Sequence, residues 1–189
     1  MATLFGKYDA YLEMAKQEPP AFRPLYQIFS KKGLKGDVVF TFQHEGESKS
    51  FKANSDGFID FRPDMALLKA NPLITLNQPK EQMGINLTIG VIEASQTEYA
   101  IEALHQQVHN AWGQAKSMGG AMSMFAPKHS DVTAVFDETC PSPDWSITSG
   151  GKAIAGGKAK GRVTIKFKDK KIRKADSLSF SCAPAYFIL

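Results

Sequence analysis

Two histidines four residues apart, in the run His105-Gln106-Gln107-Val108-His109, have the spacing in this chain that comes nearest to metal chemistry. On a helix, side chains at i and i+4 share a face. The zinc peptidase motif H-E-x-x-H uses that geometry to hold one ion and places a general base beside it. Here the second position is Gln106. An amide cannot accept a proton from a metal-bound water, so hydrolysis by that route is excluded. A non-catalytic site at His105 and His109 remains, with Glu102, His129 or the thioethers of Met118, Met122 and Met124 as further ligands, a set that favours copper(I). Two ordinary helix-surface histidines are the simpler reading, and no cofactor is expected.

Cys140 and Cys182 are the only cysteines. Each falls beside an expected strand, so a bridge is geometrically open to them, whereas a reducing compartment would keep them as thiols. A nucleophilic cysteine needs a base, and neither has a histidine near it in sequence. Gly150-Gly151-Lys152 and Gly156-Gly157-Lys158 have the wrong order for a phosphate loop of the form G-x-x-x-x-G-K-[ST], and hairpin turns explain these glycines better. No G-x-S-x-G elbow is present. The chain is therefore expected to be non-enzymatic, with a metal-binding protein and an enzyme of unrecognised type as the alternatives.

Charge is distributed unevenly. Residues 152–189 hold 10 Lys/Arg against 2 Asp, a net +8, so residues 1–151 carry 13 against 17, a net −4. Arg162, Lys166 and Lys168 alternate with Val163, Ile165 and Phe167, which puts the cations on one face of a strand. That face is the expected contact for an anionic partner, unless it faces acidic residues of the same molecule. It lacks the interleaved aromatics that stack bases, so nucleic acid is not expected. The partner expected is an unidentified protein or an anionic surface.

The elements that would hold these residues read as α+β. Of the 189 residues 43% are hydrophobic, with 13 Phe, the profile of a packed chain rather than a disordered one. No run of about 18 apolar residues occurs, so no transmembrane segment is expected. Lys7, Asp9, Glu13 and Lys16 in the first twenty residues are foreign to a signal-peptide core. Leu4, Tyr8, Tyr11, Leu12 and Ala15, then Phe22, Leu25, Ile28 and Phe29, recur at helical spacing and predict an N-terminal helical segment over residues 1–36. From Asp37 the period becomes alternating, predicting a first β module over 37–94. Ser95 and Glu98 have the form of a capping box and open a connecting helix with its Gly/Met loop over 95–127. Strands return over 128–189.

The two β regions match each other. Gly57 to Phe61 aligns with Gly161 to Ile165 at an offset of 161 − 57 = 104. Asp64, Lys69, Ala70, Leu73 and Pro79 align with Asp169, Lys174, Ala175, Leu178 and Pro184 at 105. Internal duplication predicts equivalent strands for residues 57–79 and 161–184.

The turn Ala53-Asn54-Ser55-Asp56-Gly57-Phe58-Ile59-Asp60-Phe61 resembles the "T-D-x-D-G-x-F-x-F" turn of transthyretin-like and carboxypeptidase-regulatory-like sandwich modules. In the second region Lys160 stands where that motif has Asp. The resemblance implies two immunoglobulin- or prealbumin-like β-sandwich modules in tandem, acting as a binding or accessory module of an exported bacterial protein, and it implies no catalytic residue. The location expected is periplasmic or secreted if a signal peptide has been removed, and cytoplasmic otherwise.

Overall fold

The computed structural model describes residues 1–30, 32–33, 36–80, 83–118 and 131–189. Among them are thirteen strands in three mostly antiparallel sheets and four helices. The chain divides into two compact units, Met1–Pro19 with Pro24–Thr88, and Pro20–Arg23 with Ile89–Leu189. None of the described helices is long and apolar enough to cross a membrane.

Unit 1 is built from α1 (Tyr8–Gln17), β1 (Phe22–Ser30), β2 (Val39–His44), β3 (Glu47–Lys52), β4 (Phe58–Ile59), α2 (Met65–Ala70), β5 (Ile74–Leu76) and β6 (Met83–Val91), with β1 and β6 each contributing residues to both units. The helix expected over residues 22–29 is instead strand β1. Its burial alternates, with Phe22, Pro24, Tyr26 and Ile28 inward and Arg23, Leu25 and Gln27 outward. Pro24 removes a helical donor, and pairing of Tyr26 with Ile59 and Gln27 with Phe58 supplies the backbone partners a helix would have found within itself.

Strands β2 and β3 close through Glu45-Gly46, whose φ of 53° and 80° give the primed turn that matches strand twist. In unit 1 one sheet runs β3-β2-β5, and strands β6-β1-β4 belong to a six-stranded sheet. Their inner faces bury Phe40, Phe42 and Phe51 with Tyr26, Ile28 and Ile59 in one core, closed by Leu4, Phe5 and Tyr8 and by Leu67 and Leu68 of α2. This is a sandwich-like arrangement. Gly57 is required where it stands: its φ is 83°, and a Cβ there would collide with the carbonyl oxygen of Ile28, whose N–H donates to Gly57 O at 2.8 Å.

Unit 2 contains β7 (Glu98–Ala100), α3 (Ile101–Ser117), β8 (Asp131–Val135), β9 (Asp144–Ser149), β10 (Lys152–Lys158), β11 (Arg162–Lys166), α4 (Lys170–Arg173), β12 (Ser177–Phe180) and β13 (Tyr186–Ile188). The helix expected from Ser95 begins at Ile101, inside this unit rather than between two modules. Ser95 does not cap it, because Glu98, Tyr99 and Ala100 are drawn into pairing with Ser179, Leu178 and Ser177 of β12. Tertiary pairing here overrides a local capping signal. Gly150 and Gly151, at φ 58° and 73°, turn β9 into β10. Gly156 and Gly157 lie within β10 rather than at a turn, and a Cβ on Gly156 would stand 2.7 Å from Trp145 O.

The two units share one order of elements and one pairing scheme. In unit 1 a hairpin (β2-β3) takes β5 beside its first strand, while β1 lies between β4 and β6. In unit 2 the hairpin β9-β10 takes β12 beside its first strand, and β8 lies between β11 and β13. The links correspond as well. Asp64 caps α2 by accepting from Leu67 N at 2.7 Å, and Asp169 caps α4 by accepting from Lys171 N at 2.8 Å. Phe136 N donates to Gly161 O at 2.8 Å, as Ile28 N does to Gly57 O.

Beyond the helices the register slips. Phe42 opposes Ile74 in unit 1 while Ile147 opposes Leu178 in unit 2, an offset of 178 − 74 = 104. Leu73, aligned with Leu178 by sequence, is 83% exposed. The units differ at one edge: β12 has β7 on its outer side, and among the described residues no strand lies outside β5.

Candidate functional site

Unit 1 contains an open cavity of about 430 Å³. Its walls are Ile28 of β1, Phe40 of β2, Ile74 and Leu76 of β5, and Met83 and Ile85 of β6, with Met1 and Leu4 across them. Asn71, Pro72 and Leu73, which join α2 to β5, form its lip, and Lys80 contributes a cation. Asn71 is left-handed at φ 46°, which aims its side chain back at the chain start: Ala2 N donates to Asn71 Oδ1 at 2.8 Å and the Met1 ammonium to Pro72 O at 2.9 Å. Burial lowers the pKa of that ammonium. The site is apolar inside and cationic at its edge, with no carboxylate among the described residues that line it. Its residues come from six segments between Met1 and Ile85, so sequence spacing gave no sign of it.

The basic face lies in unit 2. Arg162, Thr164 and Lys166 project to solvent from β11 while Val163 and Ile165 are buried, and Lys168, Lys170, Lys171, Arg173 and Lys174 continue the exposed cationic run through α4. Asp169 lies in this run with its carboxylate held by Lys171 N, and half-buried Asp131 is in register with Lys166. Lys166, Lys170, Lys171, Arg173 and Lys174 make no ion pair among the described residues.

His105 and His109 both lie on α3, but His105 turns inward. Its ring meets Phe167 at 4.8 Å, while His109 is exposed. Burial, then the neighbouring charges of Arg173 and His109, lower the His105 pKa. Glu102 is exposed on the same helix, and among the described residues no three His, Cys, Asp or Glu side chains gather in a metal-holding group. Met122, Met124 and His129 lie outside the described residues. Because the His105 pKa is lowered in the folded chain, the unfolded chain binds more protons as pH falls towards and below about 6.5, and unit 2 loses stability there. We expect the midpoint of denaturant unfolding to fall between pH 7 and 5, and His105→Gln to flatten that slope. An unchanged slope would assign the pH dependence to other groups.

Cys140 and Cys182 are bonded, with Cα atoms 6.5 Å apart. The bond joins the turn after β8 to the residues that follow β12, close to where Ser181 N donates to Asp144 O at 2.9 Å. Comparison with protein-family models, with curated proteins and with solved structures finds no match to this chain.

Proposed function

We propose that this chain is a non-enzymatic binding module of an exported protein, made of two duplicated prealbumin-like units, that contacts an acidic polysaccharide of the cell envelope through the face formed by β11 and α4. The observation that carries the reading is the exposed cationic run from Arg162 to Lys174, in which Asp169 is the one acid and is already engaged by a backbone N–H. Fixed cations in such a row attract an extended polyanion without chemistry. The Cys140–Cys182 bond supports export, since disulfides persist in oxidising compartments. The shared pairing scheme of the two units supports duplication.

Retention on a sulfated polysaccharide resin tests this. Charges separated by more than about 8 Å are screened at physiological salt, so elution should come early as salt rises. Lys166→Glu with Lys168→Glu should weaken binding roughly thirtyfold or more, at about 1 kcal/mol per lysine removed from an anionic surface. Retention that ignores both salt and the double substitution would refute the proposal.

A further inference from the structure

Among the described residues no strand pairs with the outer edge of β5, which lies beside the unit 1 cavity. Asn77 N donates to Val39 O at 3.2 Å, and Thr75 is in register with Thr41. Antiparallel ladders exchange bonds at alternate residues, so Thr75 directs its N–H and C=O at β2, while Ile74 and Leu76 direct theirs outward. In unit 2 the corresponding groups are satisfied. Ser181 N donates to Asp144 O, which assigns Ser177 and Ser179 to β9 and leaves Leu178 and Phe180 facing β7. Phe180 N donates to Thr97 O at 2.8 Å and Leu178 is in register with Tyr99.

The side chain of that added strand fills what is empty in unit 1. Tyr99 is 2% exposed and stands on Phe187 of β13 at 5.0 Å and Phe180 of β12 at 6.1 Å. The strands corresponding to β12 and β13 are β5 and β6, and the cavity lies against both. The backbone bond at the end of the strand is also matched: Ile101 N donates to Asp176 O in unit 2, and the Met1 nitrogen donates to Pro72 O in unit 1. Unit 2 thus displays, within the same chain, the kind of occupant the unit 1 edge fits.

We propose that β5 and its cavity accept a peptide strand from a partner protein by β-augmentation, antiparallel to β5, with a Tyr or Phe side chain in the cavity and an acidic residue beside it. The acidic preference follows from charge: Lys80 borders the cavity, and among the described residues its lining holds no carboxylate. Main-chain bonds to Ile74 and Leu76 provide affinity, and the apolar pocket for the aromatic side chain provides specificity. This site is independent of the basic face of unit 2.

The probe is the hexapeptide Ser-Gln-Thr-Glu-Tyr-Ala, the sequence of residues 95–100, added to the full chain and also fused ahead of Met1. Free peptide should shift the amide resonances of Ile74 and Leu76. The fusion should slow their hydrogen exchange at least tenfold and raise the thermal midpoint. Replacing the peptide tyrosine by Ala should lower affinity at least tenfold. Leu76→Pro removes an outward N–H without touching the β2 ladder, and an edge strand tolerates it, so the chain should fold and lose the peptide. If that variant does not fold, Lys80→Glu serves, with an expected severalfold loss for this acidic peptide. No protection of Ile74 and Leu76 by either form of the peptide would overturn the proposal. So would equal binding of the alanine peptide, or cavity filling by decanoate while the peptide does not bind.

Discussion

Cys140→Ser with Cys182→Ser lowers the stability of unit 2 by about 4 kcal/mol, one of the two largest effects expected in this chain. The bond closes a loop with a sequence separation of 42, and the chain-entropy model assigns roughly that value to the freedom returned to the unfolded state. At roughly 4–8 °C per kcal/mol for a domain of about this size, the thermal midpoint falls by well over 10 °C. Both tryptophans, Trp112 and Trp145, lie in unit 2, so tryptophan fluorescence reports this transition directly. Thiol titration of the unfolded, unreduced protein should find no free thiol. Two free thiols after preparation under oxidising conditions would show that the bond does not form, and with it would go the support it lends to export.

Phe51→Ala is the second large effect, now in unit 1. The Phe51 ring stacks on Phe61 at 4.3 Å and on Phe40 at 4.8 Å, each with planes 8° apart, and reaches Phe5 at 6.0 Å. Truncation removes the middle of a three-ring stack bridging β2, β3 and the residues after β4. Loss of buried area and a residual cavity cost about 3–5 kcal/mol for a core Phe. Phe51→Leu keeps most of the volume and forfeits chiefly the aromatic contacts, so it should cost much less. Tryptophan fluorescence does not follow unit 1, and amide exchange of β2 and β3 is the suitable measurement. A loss below about 1 kcal/mol for Phe51→Ala would mean the stack closes over the gap.

The strands from β2 onward were largely readable because their apolar residues alternate over short hairpins with glycine turns. Strand β1 was not: Phe22, Leu25, Ile28 and Phe29 fit a helix as well as Phe22, Tyr26 and Ile28 fit a strand, and pairing with β4 and β6 decides between them. The start of α3 was misplaced for a similar reason, since the partner that captures Glu98 to Ala100 lies almost eighty residues further along the chain. The offset-105 matches pointed to segments that do form similarly ordered strands, but not to the one-residue slip after α2, where Asn71 takes a left-handed turn. Of the candidate sites, the exposed cations of β11 were legible from alternation alone. The cavity was not, because its lining is gathered from six stretches between Met1 and Ile85 that only the folded sheets bring together.

The interleaving of the units along the chain has a consequence for dissecting the protein. Residues Pro20–Arg23 belong to unit 2 although unit 1 resumes at Pro24. Within unit 2, Ala21 N donates to Gln114 Oε1 at 2.6 Å and Ile92 N donates to Ala21 O at 2.9 Å. A fragment beginning at Ile89 therefore lacks Ala21, the partner of both Gln114 on α3 and Ile92 just after β6, and a fragment ending at Thr88 carries residues 20–23 away from the rest of unit 2. No single cut in the backbone yields two intact pieces. A protease clip near residue 88 would leave a nicked chain whose halves still share a thread, and only a circular permutant or a co-expressed pair of fragments could present unit 2 with its full set of bonds.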